Sequence, residues 1–253
     1  MHLHAWNTPP QYRLTDDDER FHPYLTEYPD EVIRTKIKYV TGLLQETFGH
    51  PMRSHRAGRW AFNSTYAKVL VEQGYLIDCS VTPYVSWQSH LGVPLGAGGA
   101  DYRRFPSDAY LVDLNEVSRL GNSSLLEVPM TIVPSVPRCV EYVREALPPR
   151  SLSRRLLGRL MPPPSWFRPR RGNRAEMLRI IQVVRAEERE YIEFMLHSSE
   201  FMPGGSPAFP DDTAIEQLYD DLEAVFSSAA SCFQGATLSD FRAATVRRAQ
   251  RKT

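Results

Sequence analysis

A chain of 253 residues can bury a sizeable core, and 42% hydrophobic with 11% aromatic residues is a globular composition. Thirty Lys and Arg balance thirty Asp and Glu, which argues against a general nucleic-acid binder needing a basic surplus to neutralise phosphates. No run reaches the ~18 apolar residues of a membrane span, and no basic-then-apolar leader opens the chain, so a cytoplasmic protein is expected. Cys79, Cys139 and Cys232 are too few and too scattered for a disulfide framework or a CxxC metal site. They read as small buried hydrophobes.

The acidic run Asp16 to Glu19 reads as a solvated loop. From Glu31 to Phe48, Val32, Ile33, Ile37, Val40, Leu43, Leu44 and Phe48 recur at helical spacing, and Gly49 supplies the stop. Ser54 to Trp60 reads as a strand running into a loop. Ser64 is the expected cap of a helix over Thr65 to Gln73, ended by Gly74. Tyr75 to Val81 and Leu125 to Val133 read as short apolar strands, with a Gly-, Ser- and Pro-rich excursion over 88–109 between them.

Between Glu145 and Glu176 there is no acid, yet Arg150, Arg154, Arg155, Arg159, Arg168, Arg170, Arg171 and Arg174 all fall there. Prolines 148–149 and 162–164 bracket a short amphipathic helix, Ser151 to Met161, with Leu152, Leu156, Leu157 and Leu160 on one side. This insertion, about 146–174, reads as a solvated loop or as a weak contact with an anionic surface, lipid or acidic glycan. Arg174 to Arg185 should be a helix, Glu188 to Leu196 a helix end passing into a strand, and Thr213 to Phe226 and Leu238 to Arg247 helices. Helices alternating with short strands predict a parallel α/β architecture in which strand C-termini carry the chemistry. His55-Arg56, Asp78 and His197-Ser198-Ser199 all fall at such ends.

His2 and His4 stand at i and i+2, so an extended segment points both imidazoles the same way, towards one metal ion or simply into solvent at a chain end. Arg56, flanked by apolar residues and close to Gly58, needs a carboxylate or substrate partner if buried. His197 is a candidate acid–base group or a satisfied buried histidine. No GxSxG elbow, P-loop or dinucleotide glycine pattern is present.

Four segments in order, His-Leu-His-Ala-Trp-Asn-Thr-Pro-Pro, Ser-His-Arg-Ala-Gly-Arg-Trp, Gly-Tyr-Leu-Ile-Asp-Cys-Ser-Val-Thr-Pro and Leu-His-Ser-Ser-Glu-Phe-Met-Pro-Gly, resemble the polysaccharide deacetylases of carbohydrate esterase family 4. The likeness extends from His2 to about residue 243 and is nearest a bacterial branch associated with surface-polysaccharide loci. It implies a single domain over 1–253, a distorted (β/α)7 TIM-like barrel, and a divalent metal, zinc in the first instance. It implies His2 and His4 as metal ligands and Arg56 as the arginine that positions a catalytic carboxylate. His197 would protonate the departing amine, and Asp78, Trp60 and Trp87 would bind substrate.

Two departures accompany the likeness. The family's metal histidines are usually separated by three residues, a spacing that would fall on Trp6 here. The family's Asp-Asp strand lies upstream of those histidines, so the barrel is expected to lack its first strand and its catalytic base. The function that the resemblance implies is removal of N-acetyl groups from a surface-polysaccharide or cell-envelope sugar. The alternatives are a non-catalytic glycan-binding remnant of the same fold, or an amide hydrolase for a small nitrogenous substrate.

Overall fold

The computed structural model describes residues 1–90, 92, 98–137, 139, 140, 143, 146–148 and 151–250. Of the segments read above, residues 91 and 93–97 of the excursion, Glu145, Pro149, Arg150, and the side chains of Arg154 and Arg155 lie outside the described residues. The protein is a mixed α/β structure built on a largely parallel sheet, with seven α-helices among the described residues. Its contacts group into two compact units, Met1–Met130 with Gly235–Thr253, and Thr131–Gln234.

In the first unit, β1 (His2–Leu3), β2 (Ser54–Ala57), β3 (Ile77–Asp78), β4 (Tyr110–Leu111) and β5 (Leu126–Glu127) form one sheet in the order β1-β2-β3-β5-β4. All neighbours are parallel except β4 with β5. Among the described residues the sheet is open, with β1 and β4 as its two ends, and closure into a barrel is not seen. Register sets Arg56 opposite His2 and Asp78 opposite His55, so the clusters read from sequence lie side by side across three strands.

A short helix α1 (Asp18–Phe21) begins inside the acidic run. Asp17 caps it, and Asp18, far from being solvated, is 7% exposed and accepts from Leu14 N, Thr15 N, Thr15 Oγ1 and Tyr28 Oη. That correction has a simple cause: a turn that folds backbone N–H groups onto one carboxylate replaces its water. Helix α2 (Asp30–Phe48) stops at Gly49, whose φ of 71° is the left-handed cap that glycine adopts without a Cβ clash. Its buried stripe is Ile33, Lys36, Ile37 and Thr41, while Leu43 and Phe48 of the expected apolar face are 49% and 59% exposed. Helix α3 (Ser64–Glu72) is capped by Asn63, whose Oδ1 accepts from Tyr66 N at 2.9 Å. Ser64, the expected cap, instead donates to Asn115 O.

The strand expected over Leu125 to Val133 is two strands. After β5, Pro129 interrupts the run, since it has no N–H for the ladder, and Met130 N turns to Val81 O. The chain then enters the second unit as β6 (Ile132–Val133), paired antiparallel with β7 (Ser165–Trp166). Helix α4 (Leu152–Leu160) forms as expected, with Leu152, Leu156 and Leu160 73%, 56% and 80% exposed. Helices α5 (Arg174–Ala186) and α6 (Asp212–Ala230) supply the core. Met177, Ile180, Ile181 and Val184 on one stripe of α5 meet Val225 and Ala229 of α6, together with Val133 and Phe167. The segment 188–196 is not a strand; it runs without a ladder, tied by Glu193 N to Thr131 Oγ1 at 2.7 Å. Helix α7 (Leu238–Gln250) returns to the first unit, where Arg242 donates to Leu76 O and Ser124 O.

Cys79 is buried as expected, but Cys139 and Cys232 are exposed. No helix among the described residues is long and apolar enough to cross a membrane.

Candidate functional site

The first cluster is built where β1, an end strand of the sheet, pairs with β2. Pairing of β1 with β2 sets His2 beside Arg56, and the His2 ring Nδ1 lies 2.8 Å from Arg56 O. A carbonyl only accepts, so Nδ1 carries the proton and Nε2 keeps its lone pair. That Nε2 faces His4 Nε2 at 3.1 Å, with the rings edge to face. Burial first, and then the Arg56 charge, push the His2 pKa down to about 4, so the ring is neutral at pH 7 although one edge reaches solvent.

The segment after β1 is held on several sides. His4 N donates to Thr8 Oγ1, and Lys36 Nζ, reaching from α2 with no exposed surface, donates to Thr8 O at 2.5 Å and Pro10 O at 2.8 Å. Gly58 leaves room for it: a Cβ there would lie 2.4 Å from Leu3 O and 2.8 Å from His4 Cγ. The chain then turns through Arg59 and Trp60 at φ of 51° and 59°, the left-handed region that side chains rarely occupy. The turn folds Trp60 back beneath Arg56, whose guanidinium lies 5.2 Å from the ring centroid. Arg59 reaches Trp6 and Tyr24 at 5.7 and 5.8 Å.

Two facing imidazole nitrogens at 3.1 Å suit neighbouring vertices of one ion held at about 2.0–2.1 Å, and the Nδ1 bond to a carbonyl is the outer support that metal-bound histidines use. The donor set thus fits half of a zinc site. Among the described residues no group of three or more His, Cys, Asp or Glu is placed to complete it.

Asp78 is fully enclosed. Its Oδ1 lies 2.5 Å from His55 Nδ1 and accepts from Ser80 Oγ, its Oδ2 accepts from Ser80 N, and His55 Nε2 reaches Tyr66 Oη at 3.0 Å. Ser80 Oγ in turn accepts from Ala57 N. This network locks β2 to β3 directly behind Arg56, and a carboxylate with 0% exposure presents no surface to a sugar. Burial lowers the His55 pKa, against the raising influence of Asp78. Trp60 is 8% exposed, and Trp87, half-buried just before the excursion, donates from its indole to Thr82 Oγ1 at 2.9 Å.

His197 belongs to the second unit. It opens the turn Ser198–Phe201, where Glu200 Oε2 accepts from His197 N at 2.8 Å and lies 3.3 Å from Nδ1. Arg168 Nη2 donates to both Glu200 oxygens at 3.2 and 3.3 Å and lies 3.4 Å from Nδ1. Glu200 is 5% exposed. It therefore holds the His197 backbone and is itself held by Arg168, while His197 Nδ1 faces an acceptor on Glu200 and a donor on Arg168. Sequence reading missed both partners. Glu200 stood visible at i+3 from His197, whereas Arg168 was hidden among eight arginines.

No protein-family model matches the chain, and no curated protein matches its sequence. Among solved structures, a Mycobacterium smegmatis protein provisionally described as a polysaccharide deacetylase is similar over 86% of this chain at 14% identity, with a TM-score of 0.35. The chain spans 63% of that protein's length. At that score nothing about this chain's site follows from the likeness.

Proposed function

We propose that the protein is a metal-dependent hydrolase that removes N-acetyl groups from a surface-polysaccharide or cell-envelope sugar. The observation that carries this reading is the pair of histidine Nε2 atoms facing each other at 3.1 Å, with His2 Nδ1 tied to the Arg56 carbonyl. A bound divalent ion, zinc by its affinity for imidazole, would supply a polarising charge and an acidified water. His2 and His4 would hold it. Arg56, stacked on Trp60, would position a carboxylate in the role that the resemblance implies, and His197, with Nδ1 beside Glu200, would protonate the leaving amine. Trp87 would offer aromatic surface to a sugar face, while Trp60, 8% exposed, supports Arg56 from beneath.

The test is acetate release from N-acetylglucosamine oligomers, with zinc supplied and with it chelated. The reading expects zinc-dependent release that His197→Ala abolishes while zinc still binds. Zinc-independent release, or release unchanged in His197→Ala, would refute it.

One observation favours the second reading, a glycan-binding protein of the same architecture that does not turn its ligand over: no third metal-ligating side chain joins the histidine pair among the described residues. Oligomer binding without acetate release under any divalent metal would select it.

A further inference from the structure

The arginine-rich insertion ends in a cavity of about 430 Å³ within the second unit, between the start of α5 and the first turns of α6. Its floor includes Phe209 and Leu218, both nearly buried. Arg171 and Arg174 stand on its wall. Arg171 is exposed and makes no hydrogen bond or ion pair among the described residues. Arg174 Nη1 is 4.0 Å from Asp221 Oδ1 and half exposed, too loose a pair to neutralise it.

Asp221 carries the argument further. It is 8% exposed, and its Oδ1 accepts from Gln217 Nε2 at 2.9 Å, while Oδ2 takes no hydrogen bond among the described residues. With one oxygen open to a cavity that it lines, Asp221 can accept a hydrogen bond from a ligand's hydroxyl group. The cavity's own charge is two guanidiniums against one carboxylate. That balance suits a ligand with one negative charge and hydroxyl donors, and it disfavours a dianion, which Asp221 would repel. An apolar floor suits the C–H face of a sugar ring, and a planar guanidinium suits a carboxylate.

We infer that this cavity is a binding site for an acidic monosaccharide unit, a hexuronate. The sugar carboxylate meets Arg171, a ring hydroxyl donates to Asp221 Oδ2, and the ring lies over Phe209 and Leu218. The site lies wholly in the second unit and does not depend on the deacetylase reading.

The experiment is calorimetric titration of the whole protein with D-glucuronate, D-glucose and inorganic phosphate at one ionic strength, in the wild type and in Arg171→Ala, Asp221→Asn and Arg185→Ala. Saturable glucuronate binding is expected, with glucose and phosphate at least about tenfold weaker. Arg171→Ala and Asp221→Asn should each lose about tenfold, and Arg185→Ala, an exposed arginine of α5 outside the cavity, should bind as the wild type does. Arg171 is a surface side chain, so its variant reads binding without touching the core. Glucose binding as well as glucuronate, phosphate binding as well as glucuronate, or an unchanged Arg171→Ala would each overturn the assignment.

Discussion

At the residue scale, the polar groups near Arg56 divide into two kinds, those that face an opening and those that hold the sheet. His55 and Asp78 are of the second kind, each with 0% side-chain exposure, and they form a buried pair 2.5 Å apart. Their chemistry fixes a pH dependence. Burial holds the folded His55 pKa below its ordinary value near 6.5, so the unfolded chain binds the proton first as pH falls. Stability from this residue is complete above about pH 6.5 and is lost progressively below it. The midpoint of thermal unfolding should therefore drop between pH 7.5 and pH 5, and His55→Asn should start lower but show a flatter profile. A wild-type midpoint constant across that interval would contradict the placement.

Gly58 is a second residue-scale test. Any side chain there meets Leu3 O and the His4 ring, so Gly58→Ala should cost about 1–3 kcal/mol in denaturant unfolding and weaken zinc binding together with stability. From sequence, both Asp78 and the histidines look alike, polar residues at strand ends. What separates them is the register that sets Asp78 against His55 and His2 against Arg56, and register is a long-range property.

At the element scale, helices were the legible part. The stripe Met177, Ile180, Ile181 and Val184 announces α5, and Gly49 ends α2 where a left-handed residue is needed. Strands were not, because β5 and β6 are two residues each and a single proline, Pro129, separates a run that looks continuous. Nor does periodicity reveal Lys36, which occupies a core position of α2 by donating to the carbonyls of Thr8 and Pro10. Lys36→Met keeps the apolar stem and deletes the donor, so it should cost about 1–3 kcal/mol in urea unfolding and loosen the segment that carries His4. In contrast, Leu156→Glu on the exposed side of α4 should stay within about 0.5 kcal/mol of wild type, since that side chain is 56% exposed. Equal losses for the two variants would contradict the described burial.

At the scale of the whole molecule, a zero net charge with a pI near 7.1 leaves no net repulsion at neutral pH, so solubility should pass through a minimum there and recover by pH 8.5 in light-scattering measurements. The average conceals segregation, since the basic stretch from Arg150 to Arg174 leads into a cavity whose acid, Asp221, comes from a distant helix. The candidate chemistry is likewise divided, with His2, His4 and Arg56 in one compact unit and His197, Arg168 and Glu200 in the other. The claim on which the functional account turns is that the two histidines hold a metal ion. Calorimetric titration of zinc into metal-free protein tests it most directly. One zinc per chain is predicted, weakened at least about tenfold in His2→Ala and in His4→Ala and unaffected in His50→Ala. Zinc binding equal in all four proteins, or none in the wild type, would contradict it.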